Sequence, residues 1–300
     1  MQDILYDAHL PDTAQRAFII AGLCERYPFL RRCTLGKSYA GRRMECLRLG
    51  GEKGQVLLAA AFHGMEWLTS LVLLRFTETL CRALQTGEPV LGYDLSSLRQ
   101  CGVCILPCVN PDGVDISLYG PAAAGPCAGL VERASGGDTA SWQANARGVD
   151  LNHNYDAGWE ALHRMEREAG ITGPGPTRFG GPCPESEIET QLVTALCRRV
   201  PFRRALAFHS QGEEIYWNFG PCTPACAYPL GRVFAMSSGY LLSAPEGLAV
   251  GGGFKDWFLS CFGRPAYTVE IGRGKNPLPL SDLSAVYSRL EEMLLLSVLL

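Results

Sequence analysis

The 300-residue sequence has no long hydrophobic run, little net charge and only five histidines. Its longest apolar stretch is MLLLSVLL at 293–300, whereas a membrane-spanning helix needs about 20 such residues. The formal net charge is -3 and no basic tract occurs, so electrostatics do not favour nucleic acid as a partner. The opening MQDILYDAHLPDTAQ lacks the basic-then-apolar order of a signal peptide. We therefore expect neither a membrane nor a nucleic-acid partner.

Cysteine, by contrast, is abundant, with thirteen residues. An odd number in a chain without a secretion signal favours reduced thiols and a cytoplasmic location. CGVCILPC at 101–108 and CTPAC at 222–226 could be proposed as metal or redox sites. However, Cys101 and Cys104 lie in a strand-like run, where an offset of three residues points them to opposite faces. We therefore interpret these cysteines mainly as core residues, which is a common use of the thiol.

Continuous apolar runs alternate with helical patterns along the chain. Such runs, spaced by helices, are typical of a sheet that is covered on both faces. The sequence therefore predicts one α/β domain over 1–300, with a central mixed, mainly parallel sheet flanked by helices. We expect buried strands at 55–62, 102–109, 203–210 and 265–272, helices at 67–84, 185–199 and 281–300, and a rigid Pro/Gly-rich loop at 171–184.

Polar side chains lie at the ends of three of these strands. His63 and Glu66 follow the first strand, His209 ends the third and Glu270 ends the fourth. A single His-x-x-Glu pair is weak support for a metal site, because such pairs arise by chance. In open α/β sheets, however, sites form at the carboxyl ends of the strands. We therefore predict one site that combines these four residues.

The four residue types fit a catalytic zinc centre. Such a centre usually has three His, Glu or Asp ligands and leaves a fourth position for water. His63, Glu66 and His209 match that count, and we predict that they bind one Zn²⁺ ion. The metal acidifies its water, and a nearby carboxylate must accept the proton and pass it to the leaving amine. Glu270 is the candidate for this general base.

Six motifs in order along the chain resemble the zinc carboxypeptidase superfamily, metallopeptidase family M14. The resemblance implies an α/β fold, one zinc ion and hydrolysis of a peptide bond. It also implies that Arg147 stabilises the oxyanion and that Asn152 binds a substrate carboxylate. The motifs are GKSYAGRRMECLRLG at 36–50, taken as the leading strand, HGMEW at 63–67, VNPDGVD at 109–115, NARGVDLNHNYDAGW at 145–159, FHSQG at 208–212 and TVEIG at 268–272.

Two departures from the family pattern bear on the substrate. Ordinary carboxypeptidases carry Asn-Arg-Asn where this chain has Asn-His-Asn at 152–154, and His153 cannot make the bidentate fork of an arginine. Lys255, in LAVGGGFKDWF at 248–258, takes the position that sets specificity, and it suggests an acidic group on the substrate. The tyrosine that closes over substrate in pancreatic-type enzymes has no counterpart at Leu248, and we do not transfer its role to Tyr240.

Both departures resemble the bacterial branch that cleaves between γ-D-glutamate and a diamino acid, usually meso-diaminopimelate. We therefore expect a zinc peptidase of bacterial origin that acts on muropeptides in the cytoplasm. Three rivals stay open: a conventional metallocarboxypeptidase, a zinc deacylase of the same superfamily, and a non-catalytic muropeptide-binding protein. Metal content and turnover distinguish the last from the others.

The remaining histidines and the tryptophans have no comparable context. We expect His9 and His163 to be surface residues. We expect the tryptophans to be core or rim residues rather than ligands: Trp67, Trp142, Trp159, Trp217 and Trp257.

Overall fold

An eight-stranded sheet carries the candidate site in this computed structural model, which describes residue 6 and residues 8–300. The strands are β1 (Arg31–Lys37), β2 (Arg43–Gly50), β3 (Lys53–Ala60), β4 (Cys101–Leu106), β5 (Arg204–Ser210), β6 (Glu214–Tyr216), β7 (Leu241–Ser243) and β8 (Ala266–Ile271). The α-helices of the described residues are α1 (Thr13–Arg26), α2 (Leu68–Thr86), α3 (Pro111–Tyr119), α4 (Ala128–Ser135), α5 (Trp159–Glu168), α6 (Ile188–Arg199), α7 (Ala227–Ser238), α8 (Phe254–Phe262) and α9 (Leu283–Leu299).

The strand order is β1-β2-β4-β3-β5-β8-β6-β7. The four central strands β4, β3, β5 and β8 are parallel, so their carboxyl ends share one edge of the sheet. Strand β2 pairs antiparallel with β4, and β6 pairs antiparallel with β8. The sheet is therefore mixed with a parallel centre, as predicted.

The central strand β3 is buried on both faces because successive side chains point in opposite directions. Val56 and Leu58 belong to one hydrophobic cluster, which includes residues of α1, α2, α7 and α9. Leu57 and Ala59 belong to a second cluster, which includes residues of α6 and α8. The continuous apolar run in the sequence thus reflects helices packed on both sides of the sheet.

The predicted strands and helices are confirmed, with boundaries that move by one to three residues. The predicted loop at 171–184 contains no helix or strand. The interpretation of 36–50 as one strand is wrong, because this stretch contains the end of β1, a turn and β2. In that turn Ser38 N donates to Arg42 O at 2.7 Å, and Gly41 has a φ of 89°, which favours glycine.

None of the thirteen cysteines, all of which lie in the described part of the chain, is in a disulfide. Cys104 is buried in β4 with its Sγ 3.0 Å from that of Cys46. Within residue 6 and residues 8–300, no cysteine belongs to a cluster of three or more metal-ligand side chains. The described helices include none that is long and apolar enough to cross a membrane.

Candidate active site

His63, Glu66 and His209 meet at the carboxyl edge of the parallel strands. His63 Nδ1 lies 2.9 Å from Glu66 Oε1, and His209 Nδ1 lies 3.0 Å from Glu66 Oε2. The two Nδ1 atoms are 3.3 Å apart. Among the described residues, this is the only group of three or more His, Cys, Asp or Glu side chains whose ligand atoms lie within 4.8 Å of one another. The structure thus brings the three predicted ligands together.

The turn that carries His63 and Glu66 is fixed by close backbone packing. Gly64 N donates to Gln143 O at 3.0 Å, and a Cβ at Gly64 would lie 2.2 Å from Gly113 O. Only glycine therefore fits between the two ligands. Asn110 of the Asn-Pro-Asp-Gly motif donates to Phe62 O and to Gln143 O, at 3.1 and 3.0 Å. This motif thus holds the end of β3 in place.

Asp150 orients His63, a role that the sequence analysis did not assign. Asp150 Oδ1 lies 3.1 Å from His63 Nε2. A carboxylate in this position favours the tautomer with the proton on Nε2, so a lone pair on Nδ1 faces Glu66. When His63 is protonated, Nδ1 donates to Glu66 Oε1 at 2.9 Å, and a metal cation can take the place of that proton. The donor set of two imidazole nitrogens and one carboxylate therefore fits a zinc ion.

Burial and mutual charge set the protonation of the three side chains. Burial would raise the pKa of Glu66, but His63 and His209 lower it to about 2. Burial would lower the pKa of His63, but Glu66 and Asp150 hold that pKa well above its usual value. Burial lowers the pKa of His209, and Glu66 opposes this only in part. At neutral pH, Glu66 is therefore ionised and His209 is neutral, as metal ligands require, whereas His63 must release a proton when a metal binds.

Glu270 lies beside the cluster because of the strand register. It is opposite His209 in the parallel β5–β8 pair and opposite Glu214 in the antiparallel β6–β8 pair. Burial raises the pKa of the Glu270 carboxyl well above its usual value, and the nearby Glu66 carboxylate raises it further. A carboxyl group with a raised pKa is suited to exchange protons near neutral pH.

A cleft of about 450 Å³ opens over this cluster. Its lining includes the predicted substrate residues Asn152, His153 and Lys255, together with His63 and Glu270. The structure therefore places seven of the eight predicted site residues in or directly beneath one cleft. The roles of the individual side chains remain predictions.

Asn152 and His153 line the cleft, and each side chain is hydrogen-bonded to a protein group that does not line it. Asn152 Oδ1 accepts from Phe254 N at 3.0 Å, which leaves its amide nitrogen without a protein partner in the described structure. His153 Nδ1 lies 2.8 Å from the buried carboxylate of Glu166, whose other oxygen is 2.9 Å from His163 Nδ1. His163 also stacks on Trp159, so the expectation that it is a surface residue is wrong. His163 instead supports the wall of the cleft.

Lys255 does not enter the cleft as an isolated charge. Its Nζ contacts the Asp256 carboxylate and donates to Asn218 O at 2.8 Å. Both side chains are almost fully buried, and Asp256 also lines the cleft. Burial lowers the pKa of Lys255, whereas Asp256 raises it. The base of the cleft therefore presents an ammonium and a carboxylate side by side.

Arg147 lies apart from the other seven residues. Its guanidinium is 3.7 Å from Glu187 and 5.4 Å from the centre of the Tyr39 ring, and it does not line the cleft. The position of Arg147 outside the cleft lining does not support its predicted role at the oxyanion. A different arginine, Arg178, lines the cleft.

Four residues of the site were not predicted from the sequence: Asp150, Glu166, Arg178 and Asp256. Asp150 lies within the Gly-Val-Asp block, so its place in that motif was the available signal. Glu166 lies on α5 and Arg178 lies in the loop that follows this helix, and both are outside the six motifs. Only the fold shows that they face the site.

Comparison with known proteins shows which family has sequences similar to this chain. A model described as zinc carboxypeptidase matches residues 19–292. The chain is 33% identical over 274 residues to YqgT, an uncharacterized protein of Bacillus subtilis, covering 90% of this chain and 72% of that protein. It is 32% identical over 265 residues to gamma-D-glutamyl-L-diamino acid endopeptidase 1 of Lysinibacillus sphaericus. That match covers 87% of this chain but 65% of the endopeptidase, which is less than two thirds of its length.

Solved structures share the fold. Bovine thrombin-activatable fibrinolysis inhibitor matches with a TM-score of 0.74 at 19% identity, covering 98% of this chain and 97% of that one. The murein-tripeptide amidase MpaA of Escherichia coli O157 matches with a TM-score of 0.54 at 20% identity, covering 87% and 91%. At these identities, the similarity establishes the architecture alone.

Proposed function

Because the chain belongs to the zinc carboxypeptidase family, we propose that it is a metallopeptidase that hydrolyses the bond between a γ-D-glutamyl group and a diamino acid, such as meso-diaminopimelate, in cell-wall peptides. The observation that carries the hydrolytic part is the meeting of His63, Glu66 and His209 beside Glu270. The 32% identity to an endopeptidase named for the γ-D-glutamyl–diamino acid bond supports the choice of substrate.

The chemistry follows from the side chains around the cluster. When bound by His63, Glu66 and His209, zinc supplies a Lewis acid that acidifies water and polarises a carbonyl. Glu270 accepts a proton from the attacking water and transfers it to the leaving amine nitrogen. The water oxygen bonds to the carbonyl carbon, the C–N bond breaks, and a carboxylate and an amine result.

The pair at the base of the cleft supports a diamino acid as the leaving group. The far end of meso-diaminopimelate carries an ammonium and a carboxylate on one carbon. Lys255 and Asp256 present the opposite charges side by side. Each charge of the substrate can then meet its complement, with the carboxylate near Lys255 and the ammonium near Asp256.

His153 supports a peptidase that does not depend on a clamped peptide terminus. In ordinary carboxypeptidases of this family, an arginine at this position grips the free terminal carboxylate. The imidazole of His153 is engaged by Glu166 on one nitrogen, so it offers a single donor to the cleft at most. Recognition of the substrate by other charged groups is then required.

A paired assay on zinc-loaded protein tests the proposal. One substrate is L-Ala-γ-D-Glu-meso-diaminopimelate, and the other is an L-peptide with a blocked amino terminus and a free carboxyl terminus. We expect mass spectrometry to show release of diaminopimelate from the first substrate alone, and loss of activity with a chelator. Trimming of the second alone would establish a conventional carboxypeptidase. Bound zinc without turnover of either would contradict an enzyme and favour the muropeptide-binding alternative.

We also propose that the protein acts in the cytoplasm. The absence of disulfides among its thirteen cysteines suits a reducing compartment. Cell fractionation with an antibody to the native protein tests this location.

A further inference from the structure

We propose that Arg178 binds a carboxylate of the substrate and is a specificity-determining residue of this cleft. The inference rests on the proposed function, because it assigns a role within the same site. Arg178 lies in the loop between α5 and α6, which the sequence analysis treated only as a rigid connection. Its side chain is exposed and lines the cleft.

The charges around the cleft single out Arg178. In the described structure, every other basic side chain of the lining already has an acidic partner. His63 contacts Glu66 and Asp150, His153 contacts Glu166, and Lys255 contacts Asp256. The guanidinium of Arg178, by contrast, makes no ion pair and no hydrogen bond with the described residues. It is the one cation of the lining without an acidic partner among the described residues, so an incoming carboxylate can bind it without competing with a protein carboxylate.

The backbone fixes Arg178 relative to the metal cluster. Arg178 N donates to Asp150 Oδ2 at 2.9 Å, while the other oxygen of that carboxylate lies 3.1 Å from His63 Nε2. Asp150 N donates to Phe179 O at 2.8 Å, which closes the loop against the site from the other side. One carboxylate thus links the proposed anion receptor to a proposed metal ligand.

The conformation of Arg178 is unusual for its residue type. Its φ is 65°, in the left-handed region that glycine and asparagine adopt most easily. Such strain persists where surrounding contacts impose it, and it often marks functional positions. Here the bond from Arg178 N to Asp150 imposes it. Glycine would adopt this φ without cost, which provides a variant that removes the side chain and preserves the loop.

The proposed substrate carries free carboxylates, which need a cationic partner in the cleft. A γ-linked glutamate keeps its α-carboxylate free, and the released diamino acid has a carboxylate next to the scissile amine. These anions must enter a cleft that also contains Asp150, Asp256 and Glu270. A guanidinium can bind a carboxylate through two parallel N–H donors, which His153 cannot do. Arg178 is therefore the side chain of this cleft that can bind a substrate carboxylate through two donors.

The test compares acid and amide forms of one substrate. The free tripeptide L-Ala-γ-D-Glu-meso-diaminopimelate is assayed beside two analogues. One has an amide in place of the glutamate α-carboxylate, and the other an amide at the diaminopimelate carboxylate next to the scissile amine. The proteins are wild type, Arg178→Gly, Arg178→Lys, and Arg167→Ala as a control at an exposed arginine on α5. Circular dichroism melting checks that each variant is folded.

We expect wild type to lose about 10- to 100-fold in kcat/KM on one of the two amides, as for a charge-assisted hydrogen bond. Arg178→Gly should lose a similar factor on the free tripeptide and should no longer distinguish that amide from the acid. Arg178→Lys should be intermediate, and Arg167→Ala should behave as wild type. The analogue that shows the effect identifies which carboxylate Arg178 binds. Full retention of the acid preference by Arg178→Gly would overturn the proposal, as would its absence in wild type.

Failure of the proposed function gives a different result. If wild type trims only the ordinary L-peptide, the same comparison uses its terminal acid and terminal amide, and it tests Arg178 there. Calorimetry supplies a readout other than turnover: in the Glu270→Gln background, Arg178→Gly should weaken binding of the free tripeptide by about 10- to 100-fold. Unchanged affinity would contradict a role for Arg178 in binding.

Discussion

His209 and Glu270 lie directly opposite each other in the parallel pair of strands β5 and β8. In such a pair, residues in register point to the same face of the sheet. A predicted metal ligand and a carboxyl group are therefore held side by side by the backbone hydrogen bonds between the two strands. Sites on rigid strands keep their geometry better than sites on mobile loops.

Replacement of Glu270 by glutamine should slow hydrolysis and leave the metal site intact. The amide keeps the shape of the side chain but cannot accept a proton, so we expect kcat to fall by about 10²- to 10⁴-fold. Elemental analysis should still find one zinc per chain. Near-normal turnover in this variant would remove Glu270 from the role of general base.

Asp150→Asn should weaken the hold on the metal. Loss of an outer-shell carboxylate on a ligating histidine typically costs about 10- to 100-fold in metal affinity. Competition with a chelator of known affinity measures the change. Asp156→Asn is a matched control, because Asp156 is exposed and lies in the same stretch of the chain. Equal metal affinities for wild type and Asp150→Asn would mean that Asp150 only fixes the loop that contains Arg178 and does not support the metal site.

The Lys255–Asp256 pair should discriminate between diamino acids. Lys255→Met should impair a diaminopimelate substrate by about tenfold or more relative to one with lysine in its place, because lysine lacks the second carboxylate. Asp256→Asn should impair both substrates, since both carry the side-chain amine. The ratio of kcat/KM values for the two substrates is the measurement. An unchanged ratio in Lys255→Met would contradict the assignment of Lys255 as the partner of the side-chain carboxylate.

Buried Glu189 should make stability depend on pH. Burial raises its pKa from 4.5 to about 7, and nearby Asp112 and Glu187 add to the shift. The folded state therefore holds the proton more tightly than the unfolded state. Its stabilising contribution is complete below about pH 4.5 and declines as pH rises to about 7, by up to roughly 3 kcal/mol. The uncharged Glu189→Gln variant should lack this decline.

Urea unfolding of wild type and Glu189→Gln between pH 4.5 and 8 measures the effect. The difference between their free energies of unfolding should change in favour of the variant as pH rises. Glu168→Gln, at an exposed position on α5, should follow wild type. A pH-independent difference between wild type and Glu189→Gln would show that the carboxyl does not titrate in this range.

The core and the cluster were accessible from the sequence because both depend on local patterns. An apolar run in the sequence predicts strand β3. Each of the four polar residues of the cluster follows or ends such a run: His63, Glu66, His209 and Glu270. Parallel strands then bring the polar residues to a common edge. The last two strands on one side of the sheet, β6 and β7, have three residues each and gave no pattern to detect.

Partnerships between side chains that lie outside the motifs were not accessible. His163 lacks a motif, yet it shares Glu166 with His153 and stacks on Trp159. Lys255 could be placed in the cleft by alignment, but its pairing with the adjacent Asp256 depends on helix geometry and burial. Arg178 became distinguishable only when the partner of every other cation in the cleft was known.

The shared carboxylate of Asp150 has a thermodynamic consequence. One of its oxygens holds His63 and the other holds the backbone of Arg178, so we expect metal binding at His63 and substrate binding at Arg178 to be coupled. Coupling of this kind is reciprocal: if metal tightens substrate binding by some factor, substrate tightens metal binding by the same factor. If the protein is the zinc peptidase proposed above, a supply of its peptide substrate would then raise the fraction of chains that carry metal where zinc is scarce.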